Sequence, residues 1–169
     1  MKARKILHIA FALISIAIDV FLIVEACMDA GESGAQSLGF TDFVIGIIES
    51  INPDSMLIQN PDMFHAVVRK LFGHFLAFGG TGLFTTLSLV LLDDVFINKK
   101  VRIIVISCSI GLFLALLTEG IQLFTPGRAG QFVDVGIDFG GFLLFGGLIY
   151  IISYLIYKNK LNQSKERKE

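Results

Sequence analysis

The chain has 169 residues, 54% of them hydrophobic, and a mean hydropathy of +0.73. This length suits one domain, and the apolar excess is well above that of an ordinary soluble domain. The 14 Lys and Arg balance 15 Asp and Glu to a net charge of −1, so no basic excess is available for a nucleic-acid partner.

Four segments are long and apolar enough to cross a bilayer, because a spanning helix needs about 20 mainly apolar residues. They are residues 6–26, 68–92, 101–124 and 135–157. Eleven of the 14 basic residues lie before the first segment, between the second and third or at the very start of the third, or after the fourth. Lys and Arg collect on the cytoplasmic side of membrane proteins. The sequence therefore predicts an all-α, four-helix transmembrane bundle with cytoplasmic termini, ending in a cytoplasmic tail, residues 158–169.

The first segment is predicted to remain as an anchor. Its apolar run exceeds the roughly 7–15 residues of a signal peptide, and no small-x-small cleavage site follows it. Asp19 lies in its outer half, where a charge is costly. Two interpretations stay open for Asp19: it joins an outer polar network, or it pairs privately with a hydroxyl or backbone group.

The outer segment, residues 27–67, contains apolar side chains at approximately helical spacing. Leu38, Phe43, Ile47 and Ile51 predict an amphipathic helix that lies in the membrane interface above the outer helix ends. A short loop helix without a special role is the alternative. The turn signals Asn-Pro at 52–53 and 60–61 are predicted to end it.

Small or polar side chains follow single faces of the second, third and fourth segments, which predicts close helix packing. In the second segment they are His74, Thr81, Thr85 and Ser88 on one face and Gly73, Ala77 and Gly80 on another; in the third they are Cys108, Gly111 and Ala115, and in the fourth Gly136 and Gly140.

Charged side chains cluster at the predicted outer ends of the last three segments. The cluster comprises Arg69, Lys70, His74, Glu119, Gln122, Arg128, Asp134 and Asp138. Ionisable groups in membrane segments usually face the protein interior and pair with one another. Three cations stand against three carboxylates, so the sequence predicts one closed, mutually neutralising network. A network that only pins the helix ends is the alternative to a binding site.

Two stretches, "RKLFGHFLAFG" and "TEGIQLFTPGRAGQFVDVGIDFGG", resemble the VanZ-like family of bacterial membrane proteins. The family pattern has Arg-Lys-x-x-x-His at the start of one span, then Glu-x-x-Gln, an Arg, an Asp and Asn-x-x-Gly. Its positions fall on Arg69, Lys70, His74, Glu119, Gln122, Arg128, Asp134 and Gly141. Asp138 stands where the pattern has Asn, which leaves open whether it acts as an acid or as a neutral hydrogen-bonding group.

The resemblance covers residues 65–150. It implies the bacterial cell membrane, envelope lipids at the outer leaflet, and a link to lowered susceptibility to teicoplanin-type glycopeptide antibiotics. It implies no particular reaction.

Two functions fit these residues. In the leading one, Arg69, Lys70 and Arg128 bind the phosphate of an envelope lipid or a polyprenyl-phosphate-linked precursor, because guanidinium and ammonium groups recognise phosphate. The alternative is an enzyme acting on a lipid headgroup, with His74 or Glu119 as the general acid or base.

Several other functions have less support. The sequence carries neither a Gly-x-Ser-x-Gly nucleophile motif nor a paired-His metal motif. With only Cys27 and Cys108, we expect no disulfide, metal or cofactor. Proton-coupled transport would need acids further across the membrane, and residues 101–117 contain none. The oligomeric state stays open.

Overall fold

The computed structural model describes residues 2–55, 60–92 and 100–167. All the regular elements in these ranges are helices. In chain order they are α1 (Lys2–Cys27), α2 (Ala30–Ile51), α3 (Pro61–Val68), a π-helical segment (Arg69–Leu76), α4 (Ala77–Leu91), α5 (Lys100–Gln122) and α6 (Phe132–Glu166). Lys99 and Lys168, which support the predicted topology, lie outside the described residues, as do residues 56–59 of the outer segment.

In the part of the chain that the structure describes, four helices are long and apolar enough to cross a membrane, as the sequence predicted. They are Lys2–Cys27, Met63–Leu91, Val101–Gln122 and Phe132–Glu166, with mean hydropathies of 2.6, 1.4, 2.3 and 2.0 in their most apolar windows. The first and third match the predicted segments within a few residues. The other two are longer than predicted.

Helix α6, the fourth of these long helices, extends through most of the predicted tail. Residues 158–166 are Lys, Asn, Leu, Gln, Ser and Glu without Gly or Pro, and most of these residues are good helix formers. The end of the apolar run therefore does not end the helix.

The second long helix begins earlier than predicted and changes its hydrogen-bonding pattern. Pro61 starts α3, where its missing N–H costs nothing. The chain then passes without a break through the π-helical segment into α4, because Val68 and Ala77 at the two boundaries both keep right-handed helical angles. In a π-helix each N–H bonds the carbonyl five residues earlier. This widened stretch carries the polar side chains that face α6.

Helix α4 lies at the centre of the bundle, between α1 and α6. Backbones approach closely at Gly82, where an added Cβ would overlap the Phe142 carbonyl group, and at Gly141, where it would overlap the carbonyl of Phe75. The glycines predicted for packing are only partly in close contacts. A Cβ at Gly111 would overlap the ring of Phe142, and one at Gly80 would touch Ile18 of α1. Gly136 and Gly140 have open space where a Cβ would be, and at Gly73 the nearest group is the side chain of Arg69 on the same segment.

Helix α1 meets α4 through polar side chains. Ser15 Oγ lies 2.6 Å from Thr85 Oγ1, and Thr81 donates a hydrogen bond to Asp19. Of the two interpretations of Asp19, the structure shows private pairing with a hydroxyl. Much of the remaining surface of α1 is exposed Ile, Leu, Val and Phe.

The predicted outer helix is present and longer than expected. Asp29 caps α2 by accepting a hydrogen bond from the Glu32 N–H at 2.8 Å, and the helix ends at Ile51, before Pro53. Leu38 and Phe43 are exposed. Among the described side chains of α2, Ser33 in the first turn lines the cavity beside the polar cluster.

Candidate functional site

The π-helical segment and the first turns of α6 form a ladder of two polar contacts. Lys70 Nζ lies 2.5 Å from Asp134 Oδ1, and one turn further on His74 Nδ1 lies 3.0 Å from Asp138 Oδ1. Lys70 and His74 are four residues apart in the π-helical segment, and Asp134 and Asp138 are four residues apart in α6. The predicted common faces of Lys70 with His74 and of Asp134 with Asp138 are therefore confirmed, and they face each other.

Glu119 reaches the same place from the end of α5. Its Oε1 lies 3.9 Å from His74 Nδ1, and its Oε2 accepts a hydrogen bond from the backbone N–H of Gln131 at 2.8 Å. This second bond holds the start of α6 against α5. Gly130 permits the approach, because a Cβ there would overlap the Glu119 carbonyl oxygen.

The carboxyl groups of this cluster are almost fully buried. The side chains of Glu119 and Asp138 are 5% and 0% exposed. Among the described residues, three buried side-chain atoms lack a hydrogen-bond partner: Glu119 Oε1, Asp138 Oδ2 and Arg128 Nε. Buried polar atoms are rarely left in this condition, so their grouping in one place is informative.

The loop between α5 and α6 is tied to the end of α1. Thr125 Oγ1 donates to the carbonyl of Ala26 at 3.0 Å, and an Nη of Arg128 donates to the carbonyl of Glu25 at 3.1 Å. Gly127 makes the turn possible with a φ of 72°, a conformation that costs other residues energy.

The predicted closed network of three cations and three carboxylates is wrong in its pairing. Within the described ranges, the carboxylates of the cluster pair with Lys70 and His74, and neither Arg69 nor Arg128 comes within ion-pair distance of a carboxylate. Burial lowers the pKa of Arg128, and the nearby positive charge of Arg69 lowers it further. The negative charges of Glu25 and Glu119 act in the opposite direction, so the repulsion between the two guanidinium groups is only partly offset.

Both arginines line a cavity of about 370 Å³ between α1, the π-helical segment and the loop. Much of its wall is apolar, formed by Phe21, Leu22, Phe72 and Phe78 among others. The polar residues on its wall are Glu25, Ser33, Arg69, His74, Thr118, Gln122, Arg128 and Asp138.

All eight predicted site residues therefore lie in one region, but in two parts. Lys70, Glu119 and Asp134 belong to the buried cluster, Arg69, Gln122 and Arg128 to the cavity wall, and His74 and Asp138 to both.

Sequence reasoning missed several contributors to this region. Glu25 and Ala26 act through their carbonyls and Gln131 through its N–H, and no side-chain pattern reports such contacts. Ser33 lies in the outer segment, where the prediction rested on the spacing of apolar side chains and not on polar ones. Its hydroxyl lies 3.4 Å from Glu25 Oε2.

Comparisons of the chain with protein-family models, with curated proteins and with solved structures find no match.

Proposed function

We propose that this chain is a VanZ-like integral membrane protein that binds the phosphate of an envelope lipid or polyprenyl-phosphate-linked precursor. The observation that carries the proposal is the pair Arg69 and Arg128. Both line one cavity, and neither has a carboxylate partner among the described residues.

An anion between the two guanidinium groups would remove their mutual repulsion. Guanidinium forms two parallel hydrogen bonds with a phosphate, and the buried Nε of Arg128 lacks a partner among the residues that the structure describes. Phosphate bound here would supply both an acceptor for Nε and a compensating charge. Lys70, proposed from the sequence as a third phosphate ligand, is committed to Asp134 at 2.5 Å, so the phosphate role falls to the two arginines.

The apolar part of the cavity fits the rest of a lipid. Phe21 and Phe72 line the cavity and are 56% and 40% exposed on the outside of the bundle. Binding sites for amphiphilic ligands combine apolar walls with a few placed polar groups. A headgroup inside the cavity and a chain along α1 would use both parts.

The distribution of basic residues along the chain supports a position of the site near the outer face of the membrane. With the basic flanks cytoplasmic, the cavity lies toward the outer leaflet of the bacterial cell membrane. Binding a lipid-linked cell-wall precursor there would change its accessibility to teicoplanin-type glycopeptides, which is the effect that the family resemblance implies.

The test is lipid mass spectrometry on protein extracted in native-membrane particles. We expect wild type to enrich a phosphate-bearing lipid, and Arg69→Ala and Arg128→Ala to lose the enrichment. Arg102→Ala is the matched control, because it removes the same charge near the opposite end of the bundle. Equal lipid recovery from wild type and both cavity variants would refute the proposal.

The enzyme alternative is favoured by one observation, the buried contact between His74 and Asp138 at the cavity wall. A carboxylate that orients an imidazole is the usual support of a histidine base. A hydroxyl nucleophile has weak support: Thr118 donates to the carbonyls of Leu114 and Ala115. Turnover of a lipid headgroup that disappears in both His74→Ala and Glu119→Gln would establish catalysis in place of binding.

A further inference from the structure

The ligand atoms of three buried side chains converge beside the cavity. One ring nitrogen of His74, one oxygen of Glu119 and one oxygen of Asp134 all lie within 4.8 Å of one another. They come from the π-helical segment, α5 and α6, so the packing of three helices fixes their positions. All three residues are buried, at 8%, 4% and 4% exposure.

The charges at this point do not balance. Glu119, Asp134 and Asp138 contribute three carboxyl groups, and within the described ranges Lys70 is the one ammonium group in contact with them. Even a protonated His74 would leave more carboxylates than cations. Buried charges require a partner, and the unpartnered oxygens Glu119 Oε1 and Asp138 Oδ2 both lie here.

We propose that His74, Glu119 and Asp134 bind a divalent metal ion, with Asp138 orienting the imidazole. The proposal does not depend on lipid binding in the cavity. It runs against the expectation from cysteine content, because its ligands are an imidazole and carboxylates.

The chemistry of the ligands narrows the choice of ion. Imidazole suits transition metals, and carboxylate oxygens suit hard cations such as Mn²⁺. A set with one imidazole and two carboxylates therefore fits Mn²⁺ or Zn²⁺ better than Ca²⁺. Bonds of about 2.0–2.2 Å place two tetrahedral ligands about 3.4 Å apart. Atoms that lie near the 4.8 Å limit must therefore draw together by roughly 1–1.5 Å around the ion.

The neighbouring contacts are those of a metal site. Asp138 holds the His74 ring by a 3.0 Å contact to Nδ1, so the ion would be bound by the other ring nitrogen, Nε2. Metal-binding histidines almost always have such a carboxylate or carbonyl partner on the nitrogen that does not bind the metal. Asp134 has two oxygens and can serve Lys70 with one and the ion with the other. Glu119 Oε1, which has no hydrogen-bond partner among the described residues, would then bind the ion.

The experiment is a titration of metal-stripped, full-length protein in lipid nanodiscs with Mn²⁺, followed by electron paramagnetic resonance of the free ion. We expect wild type to bind one Mn²⁺ per chain, and Zn²⁺ to displace it. Glu119→Gln and Asp134→Asn should each weaken binding by more than about tenfold, and Asp138→Asn by about 10–100-fold.

Asp19→Asn is the matched control, since it removes a carboxylate that is bonded to Thr81 outside the cluster; binding should be unchanged. Failure of correctly folded wild type to bind Mn²⁺ overturns the proposal without reference to any variant. Equal weakening by Asp19→Asn also overturns it, because binding would then follow total charge and not this site.

Discussion

Gly141 and Gly140 are neighbours in α6 whose substitution by Ala is expected to have opposite effects. A Cβ at Gly141 would overlap the Phe75 carbonyl group in the π-helical segment, and that backbone cannot give way without separating the helices. A Cβ at Gly140 meets nothing within 4 Å.

The size of the difference follows from these surroundings. Overfilling a packed contact costs about 1–3 kcal/mol, whereas replacing Gly by Ala in an open helical position gains about 0.5–1 kcal/mol. Gly141→Ala and Gly140→Ala should therefore differ by about 1.5–4 kcal/mol in the free energy of unfolding. Gly141→Ala should also weaken ligand binding, because Phe75 follows His74.

The assay is reversible unfolding in mixed micelles with increasing dodecyl sulfate, followed by circular dichroism because the chain has no Trp. Identical midpoints for the two variants would refute the close approach of α6 to the π-helical segment.

Two further substitutions test the ion pair and the turn. Lys70→Met leaves the buried Asp134 carboxylate without its partner and should cost about 1–3 kcal/mol of unfolding free energy. Adding Asp134→Leu should recover part of this loss, and strictly additive losses in the double variant would contradict the pairing. Gly127→Ala forces a left-handed residue with its Cβ 3.0 Å from that of Ala30, and should cost about 1–2 kcal/mol. Gly120→Ala, with open space around it, is the control, and equal unfolding midpoints would refute the turn geometry.

The helices were predictable because length and hydropathy report directly on what can cross a bilayer. The common faces of Lys70 with His74 and of Asp134 with Asp138 were predictable for a similar reason, since spacing of four residues survives even in the π-helical segment. Such arguments are local to one helix.

The pairing between helices was not predictable in the same way. Counting charges suggested that Arg128 would neutralise a carboxylate, but its partner is the carbonyl of Glu25. The same limit applies to glycine: the sequence singled out Gly136, Gly140 and Gly141 in α6, and of these three only Gly141 makes a close contact. Which face meets which neighbour depends on helix rotation, and a single sequence does not encode that in a readable pattern.

The tether between the loop and α1 uses main-chain acceptors at positions 25 and 26. Every helix leaves its last carbonyls free of internal partners, so this attachment does not depend on which side chain stands at position 25. The loop can therefore stay attached to α1 when residue 25 is replaced, whereas the hydrogen bond from Ser33 to the Glu25 carboxylate would be lost.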